Sequence, residues 1–278
     1  MVDGQSQPWS ASTLSFSETF VAGTYDIPVA VTADSTGLPT YLAIKVLRSQ
    51  TVPGALNGGA PIVFQTSDET VPQTLTHNNV PDGFTTGTTY ITYQTAGGTG
   101  IIYATGTQPG QYLAIPSSTF QTGDYYHFSA VASNSTNNQS VRADKITSSN
   151  GSQSFTFPAP WSYAGPTPAA LPTFNYKYSG FSGMSNVVEE AYISWVLGNN
   201  TTGYIDDTIA ISATVNYLNG ATSVTIPDLS ALAGFLAPPT SSTQVYWFAA
   251  ISQSSFASGK PPSGSSQSVS ANGNYIVP

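Results

Sequence analysis

The chain has 278 residues, enough for two domains of ordinary size that each bury a core. Only 7 % of the residues are charged, and 14 acids against 6 bases give a net charge of −8. So few bases exclude nucleic-acid binding and attraction to anionic lipid, and the absence of cysteine excludes disulfides, zinc thiolate centres and cysteine nucleophiles.

The composition is typical of a protein that works outside the cell. Ser, Thr, Asn, Gln and Gly must cover the surface, because the charged fraction is far below the usual value of about 25 %. No apolar run reaches the ~18 residues of a membrane span, and the N-terminus carries no export signal. We therefore expect a secreted or cell-surface protein whose export signal is absent here, with residues 1–10 a linker or an expression-derived segment.

Strand signals fill most of the chain in an alternating pattern. Leu14, Phe16 and Phe20 alternate with polar residues, and residues 25–31 and 41–47 are rich in β-branched and aromatic residues. The best helix candidate is short and begins near Asp228. The sequence predicts an all-β fold in which the N-terminal strands pack on the first domain, since about 50 residues are marginal alone.

An internal repeat organises the rest of the chain. Four blocks recur in the same order: residues 90–93 and 192–195 (Tyr-Ile-x-aromatic), 115–116 and 226–227 (Ile-Pro), 126–132 and 246–252 (an aromatic-led run), and 150–151 and 272–273 (Asn-Gly). A shared order favours a duplicated domain over chance matches. We predict a first β-sandwich over residues 11–160, including the N-terminal extra strands, and a second over residues 170–278. The Pro-rich residues 161–169 then form a short, stiff connector.

The repeated blocks resemble the late strands of fibronectin type III domains. Residues 113–116 (Leu-Ala-Ile-Pro), a short loop and residues 126–132 follow the pattern of a Leu-x-Pro turn before a Tyr-led strand ending in Ala-Val. The resemblance covers roughly residues 75–158 and 170–278. It implies tandem immunoglobulin-like sandwiches with an N-terminal β extension, in which Trp195 and its counterpart Tyr93 are buried aromatics of an early strand.

The residues needed for catalysis are poorly represented. A nucleophile needs a neighbouring base, and the two histidines are His77, in a polar stretch, and His127, inside a predicted strand. The repeat equates His127 with Trp247, which favours a packing role. Adjacent acids in a strand point to opposite faces and so form no catalytic pair. We predict that the chain is not an enzyme, and a hydrolase with loop carboxylates ranks last among the functions considered.

Two kinds of ligand site remain open in the sequence. Asp206 and Asp207 follow an oxygen-rich stretch, and loop carboxylates with backbone carbonyls can bind Ca²⁺; solvated loop acids are the alternative. Trp9, Trp161 and Tyr163 lie in linker-like segments, so they are the aromatic residues expected to be exposed for stacking on sugars. The alternative is that they wedge domain junctions, while Trp195 and Trp247 belong to the core.

These observations favour an extracellular structural or adhesive protein, such as a spacer, a matrix component or a filament subunit. Its partners would be other protein subunits, and the strand around Leu14 to Phe20 would add to the open sheet edge of a neighbouring copy. The second hypothesis is a carbohydrate-binding module with a polysaccharide partner. No cofactor is expected apart from the calcium considered at Asp206 and Asp207.

Overall fold

The computed structural model describes residues 22–33, 40–52, 54–97, 100–104, 110–181, 186–200, 203–214, 221–232, 238–256 and 263–278. Their regular secondary structure is β-strand throughout, apart from two short 3-10 helices at Leu56–Gly59 and Thr66–Asp68. The predicted all-β class is therefore confirmed. Within these ranges, no helix has the length and apolar character needed to cross a membrane.

An N-terminal hairpin precedes the repeated part of the chain. Strands β1 (Gly23–Ala33) and β2 (Thr40–Val52) pair antiparallel and match the two strands predicted there. Ile27, Val29 and Leu47 form a small core of their own. The strand predicted around Leu14 to Phe20 lies outside the described residues.

The first half of the repeat contributes eight strands. They are β3 (Val71–Asn78), β4 (Thr85–Thr86), β5 (Tyr90–Gln94), β6 (Gly100–Ala104), β7 (Gln111–Ala114), β8 (Tyr125–Asn134), β9 (Gln139–Thr147) and β10 (Gln153–Thr156). Strands β10, β3 and β7 form one sheet, and β9, β8, β5 and β6 belong to another, with β4 also paired to β8. Tyr112 of β7 contacts Phe128 of β8 edge-on at 5.2 Å, so the two sheets pack face to face.

The second half repeats this arrangement with fewer strands. They are β11 (Thr173–Asn175), β12 (Asn186–Asn200), β13 (Gly203–Thr214), β14 (Ser223–Thr225), β15 (Gln244–Ser254) and β16 (Gly264–Ile276). Strands β11 and β14 form a two-stranded sheet, whereas β13, β12, β15 and β16 form a longer one. Trp195 and Trp247 are buried, as predicted. Phe174 of β11 contacts Trp247 edge-on at 6.4 Å and connects the two layers.

The long sheets of the two halves are continuous. Strand β16 pairs antiparallel with β9, and the strand order β13-β12-β15-β16-β9-β8-β5-β6 is mirrored about this pair. We call the β9–β16 pairing the seam. Val141 lies opposite Val269 in the seam, and both side chains are fully buried. The halves therefore share one nine-stranded sheet with an approximate two-fold axis near this valine pair.

A motif that the repeat search missed forms the seam. Gln-Ser-Val-Arg-Ala at residues 139–143 of β9 matches Gln-Ser-Val-Ser-Ala at residues 267–271 of β16, and the two copies pair with each other. The predicted Asn-Gly match was wrong, because Asn150 follows β9 whereas Asn272 lies within β16.

The observed strand pairing also changes the alignment of the two repeat copies, by one residue, in the aromatic-led block. Ile91 lies opposite Phe128, and its counterpart Ile193 lies opposite Trp247. Trp247 is therefore the counterpart of Phe128, and Tyr246 is that of His127. The predicted equivalence of His127 with Trp247 was wrong, and the error matters because a slip of one residue moves a side chain to the opposite face.

The Pro-rich connector crosses the inner face of the seam. Gln139 donates from Nε2 to the carbonyl oxygen of Trp161 at 2.8 Å, and Gln267 donates from Nε2 to that of Thr156 at 2.7 Å. These glutamines occupy equivalent positions of the seam motif, so both halves hold the same segment. We call residues 156–171 the strap, which begins at the last residue of β10. It packs against both halves and does not hold them apart as a spacer would.

Arg48 of β2 attaches the hairpin to the first half. Its Nη1 donates to Asp26 Oδ2 and Asp124 Oδ1, each at 3.0 Å, and its Nη2 donates to Asp124 Oδ2 at 2.6 Å. The same Nη2 reaches the hydroxyl of Tyr93 at 3.3 Å and the carbonyl oxygen of Thr119 at 2.9 Å. One guanidinium group thus connects the hairpin with two segments of the first half.

Asp124 is the buried partner that makes this attachment strong. It is 0 % exposed and accepts from the Tyr93 hydroxyl at 2.6 Å and from the backbone N–H groups of Ala96 and Gln121 at 3.0 and 2.9 Å. Burial alone would raise the pKa of Asp124, but the hydrogen bonds from Arg48, Tyr93 and the backbone hold it below its usual value.

Replacing Arg48 should therefore be costly. We expect Arg48→Met to lower the free energy of unfolding by about 3–5 kcal/mol in urea titrations, because Asp124 would keep a charge that water cannot reach. Adding Asp124→Asn should recover part of the loss. Lys45→Met removes a more exposed ion pair with Asp68 and should cost about 1 kcal/mol. Equal losses for Arg48→Met and Lys45→Met would contradict this account.

Candidate functional site

The aromatic residues predicted to stack on sugars do not form an exposed platform. Trp161 is 3 % exposed, and its ring stacks on Tyr163 at 4.4 Å and on Tyr176 at 5.8 Å between centroids. Tyr163 in turn meets Trp247 edge-on at 5.5 Å. The expectation that Trp161 is exposed was wrong, because the strap buries its aromatic side chains against the second half. Trp9 lies outside the described residues.

The calcium candidates lie in a strand and not in a loop. Asp206 and Asp207 belong to β13, opposite Val196 and Trp195 of β12. The loop carboxylates that the sequence suggested for Ca²⁺ are therefore strand residues. In the described parts of the chain, no group of three or more His, Asp or Glu side chains is placed to hold a metal ion.

The two histidines have different surroundings. His77 Nε2 lies 3.0 Å from Thr89 Oγ1, and the ring packs near Phe155 and Phe157. His77 lies in β3 and is half-buried, and this burial lowers its pKa. Its environment indicates a structural role in the first half.

His127 lies on the outer face of the nine-stranded sheet. Its Nε2 is 3.8 Å from Asp144 Oδ1, but Arg142 Nε donates to both oxygens of this carboxylate at 2.9 Å. Ser266 Oγ also donates to Asp144 at 3.0 Å. Asp144 thus accepts from a guanidinium group on its own strand and from a hydroxyl group across the seam. This arrangement resembles a structural ion pair more than a charge-relay system.

Glu189 has a buried carboxyl oxygen that lacks a partner. The residue is 5 % exposed, and its Oε2 accepts no hydrogen bond. Gln253 lies on the same face of the neighbouring strand β15, where its buried Oε1 is also without a partner. Desolvation raises the pKa of Glu189 to about 7. A protonated carboxyl group suits this site, since two oxygens that can only accept do not satisfy each other.

Aromatic side chains stand exposed on the outer face of the same sheet. Tyr192 of β12 is 38 % exposed and Tyr246 of β15 is 47 % exposed. Tyr192 stacks on Phe248 with ring centroids 5.0 Å apart and planes 13° from parallel. In the first half, Tyr90 occupies the position equivalent to Tyr192 and is 51 % exposed. These residues were not singled out from the sequence.

The sheet ends in strands that pair on one side. Throughout the described ranges, β13 pairs with β12 alone and β6 with β5 alone. Residues 208–212 of β13 read Thr-Ile-Ala-Ile-Ser, with neither a charge nor a proline. Proteins commonly use lysine or proline to block an edge strand. This stretch of β13 is therefore open to pairing with another strand.

A cleft lies between the hairpin and the first half. Its volume is ≈ 600 Å³ and it is wide open to solvent, with a lining that includes Leu42, Phe64, Glu69 and Leu113. Among the described residues that line the cleft, Glu69 is the one acidic side chain. The cleft therefore brings no pair of carboxylates together for acid and base chemistry.

Comparison with known proteins gives no relative: no family model, curated protein or solved structure matches the chain. The function therefore rests on the surfaces and side chains described above.

Stability should depend on pH through Glu189. Its pKa is about 7 in the folded state against an ordinary 4.5, so the native state holds the proton more tightly than the unfolded state. Its contribution is complete below pH 4.5 and is lost as the pH rises through 7. The free energy of unfolding of Glu189→Gln relative to wild type should rise by up to about 3 kcal/mol over this interval.

The matched control for that measurement is Glu190→Gln, since Glu190 is the exposed neighbour on β12. This control removes a carboxyl group of the same kind from an exposed position of the same strand. A constant difference between Glu189→Gln and wild type over the whole interval would show that the Glu189 carboxyl group is charged in the folded protein.

Proposed function

We propose that the chain is a secreted or cell-surface structural and adhesive protein, and not an enzyme, whose copies associate by strand addition. The observation that carries this proposal is the nine-stranded antiparallel sheet, whose terminal strand β13 pairs on one side in the described ranges and carries neither charge nor proline at residues 208–212. The seam supports it, because β9 and β16 already join two sandwich-like halves through backbone pairing and a small apolar contact. The same kind of pairing at β13 would join separate chains.

We further propose that each half is a fibronectin type III-like sandwich. Its support in the first half is the packing of the β3–β7 layer on the β5–β8–β9 layer. The hydroxyl group of Tyr126 accepts from Ile115 N–H at 2.9 Å and donates to Asn150 Oδ1 at 2.6 Å. A tyrosine that ties the start of a late strand to upstream backbone is a feature of immunoglobulin-like sandwiches.

The donor in this proposal is the alternating N-terminal segment around Leu14, Phe16 and Phe20 of a second copy. An extended segment that adds to a sheet edge gains main-chain hydrogen bonds, and its alternate side chains give specificity. Each copy then has one donor and one acceptor. Such head-to-tail contacts build open filaments where the rotation between copies does not close a ring.

A charged edge should prevent association. We expect Thr208→Lys with Ser212→Lys to lower the weight-average mass at high concentration towards that of a monomer, because each added strand would have to pack beside two ammonium groups. The matched control carries the same two charges on the interior strand β15, as Ser252→Lys with Ser254→Lys. It should associate like wild type. Equal loss of association in both variants would point to net charge and not to the edge.

Deleting residues 1–22 should remove the donor strand. Because β1 begins at Gly23, we expect the truncated chain to keep its circular dichroism spectrum and thermal midpoint while it no longer associates. Mixing it with wild type should cap growing filaments, since it retains the acceptor edge. If the truncated chain associates as before, the N-terminal segment is not the donor.

A further inference from the structure

Tyr192 is 38 % exposed on the outer surface of the second half. Phe248 stacks on one side of the ring at 5.0 Å. On the other side, the residue opposite Tyr192 is Ala210 of the edge strand β13. A methyl group is too short to cover a phenol ring, and both residues are exposed. We call this place, where the large ring of Tyr192 lies beside the small side chain of Ala210, the step.

Short polar side chains surround a second exposed ring beside this step. Tyr246 lies two residues from Phe248 on β15, with Ser194 opposite on β12 and Asn274 opposite on β16. Asn274 is exposed and Ser194 is half-buried. Their amide and hydroxyl groups can both donate and accept hydrogen bonds. Two aromatic rings flanked by such groups match the alternation of C–H faces and hydroxyl groups on a pyranose.

The charges nearby select among sugars. Glu190 lies on the same face two residues from Tyr192 and is exposed, and the chain as a whole carries a net charge of −8. A carboxylate accepts hydrogen bonds from sugar hydroxyl groups but repels uronic acids and sulfated sugars. We infer that the outer face around Tyr192 and Tyr246 binds a neutral polysaccharide.

The first half repeats part of this site across the seam. Tyr90 is exposed at the position equivalent to Tyr192, and the residue opposite it on the edge strand β6 is Ala104. Strand spacing and rise place the two tyrosines about 24 Å apart across the sheet and about 20 Å apart along it. A polymer can span both positions, whereas a monosaccharide can occupy only one. Binding should therefore gain from two attachment points on a long chain.

Retention on insoluble polysaccharides tests this site. Wild-type protein is incubated with microcrystalline cellulose and with chitin, and its binding to soluble xylan and mannan is measured by affinity electrophoresis. We expect binding to at least one of these neutral polymers, and Tyr192→Ala with Tyr246→Ala should weaken it about tenfold or more. The single variant Tyr192→Trp, with Tyr246 unchanged, should bind the polysaccharide like wild type, since the larger ring keeps the stacking face.

The control is Phe256→Ala, which removes an aromatic ring of similar exposure, 39 %, just beyond the C-terminal end of β15. This variant should bind like wild type. All variants should keep the wild-type thermal midpoint and the wild-type mass in solution. Failure of wild type to bind any of the four polymers overturns the inference, as does undiminished binding by the double variant. If the double variant instead loses self-association, the face is a contact between copies and not a sugar site.

Discussion

The seam between β9 and β16 determines the architecture of the whole chain. Two copies of Gln-Ser-Val-x-Ala pair antiparallel with Val141 opposite Val269, so the long sheets of both halves become a single sheet. The same motif supplies Gln139 and Gln267, which hold the strap through Trp161 and Thr156. Because the sheet is continuous, its outer faces become one surface and its free edges are reduced to the strands at its two ends.

Charged residues are scarce in this chain, and several of them form ion pairs in the interior and where elements meet. Arg48 and Asp124 fasten the hairpin to the first half, while Arg142 and Asp144 form an ion pair on the seam strand β9. The rest of the described surface consists mostly of uncharged polar residues, with a few exposed charges such as Glu69, Asp82 and Glu190 between them. Recognition by such a surface must depend on backbone pairing, aromatic rings and amide groups, which are the groups found at the edge of β13 and around Tyr192.

The alternation of apolar residues was sufficient to predict β1 and β2. It did not predict the face of each side chain in β15, because Tyr246, Trp247 and Phe248 are three consecutive aromatics and conceal the parity. Only pairing with β12 shows that Trp247 is inside and its neighbours are outside. The exposed tyrosines were missed for this reason.

Long-range contacts explain the other differences. Trp161 lies in a Pro-rich stretch that has the composition of a linker, and its burial depends on a seam formed by strands far away in sequence. Asp206 and Asp207 follow a stretch rich in Asn, Thr and Gly, yet pairing with β12 extends the strand through both residues. The seam motif itself was visible in the sequence as a five-residue match, but its self-pairing was not.

The mass of the wild-type protein across a concentration series tests the central claim most directly. Light scattering should show growth beyond the 29.0 kDa of one chain, and negative-stain images of the same samples should show filaments. A mass that stays at that of a single chain at every concentration would contradict assembly through the open edge of β13.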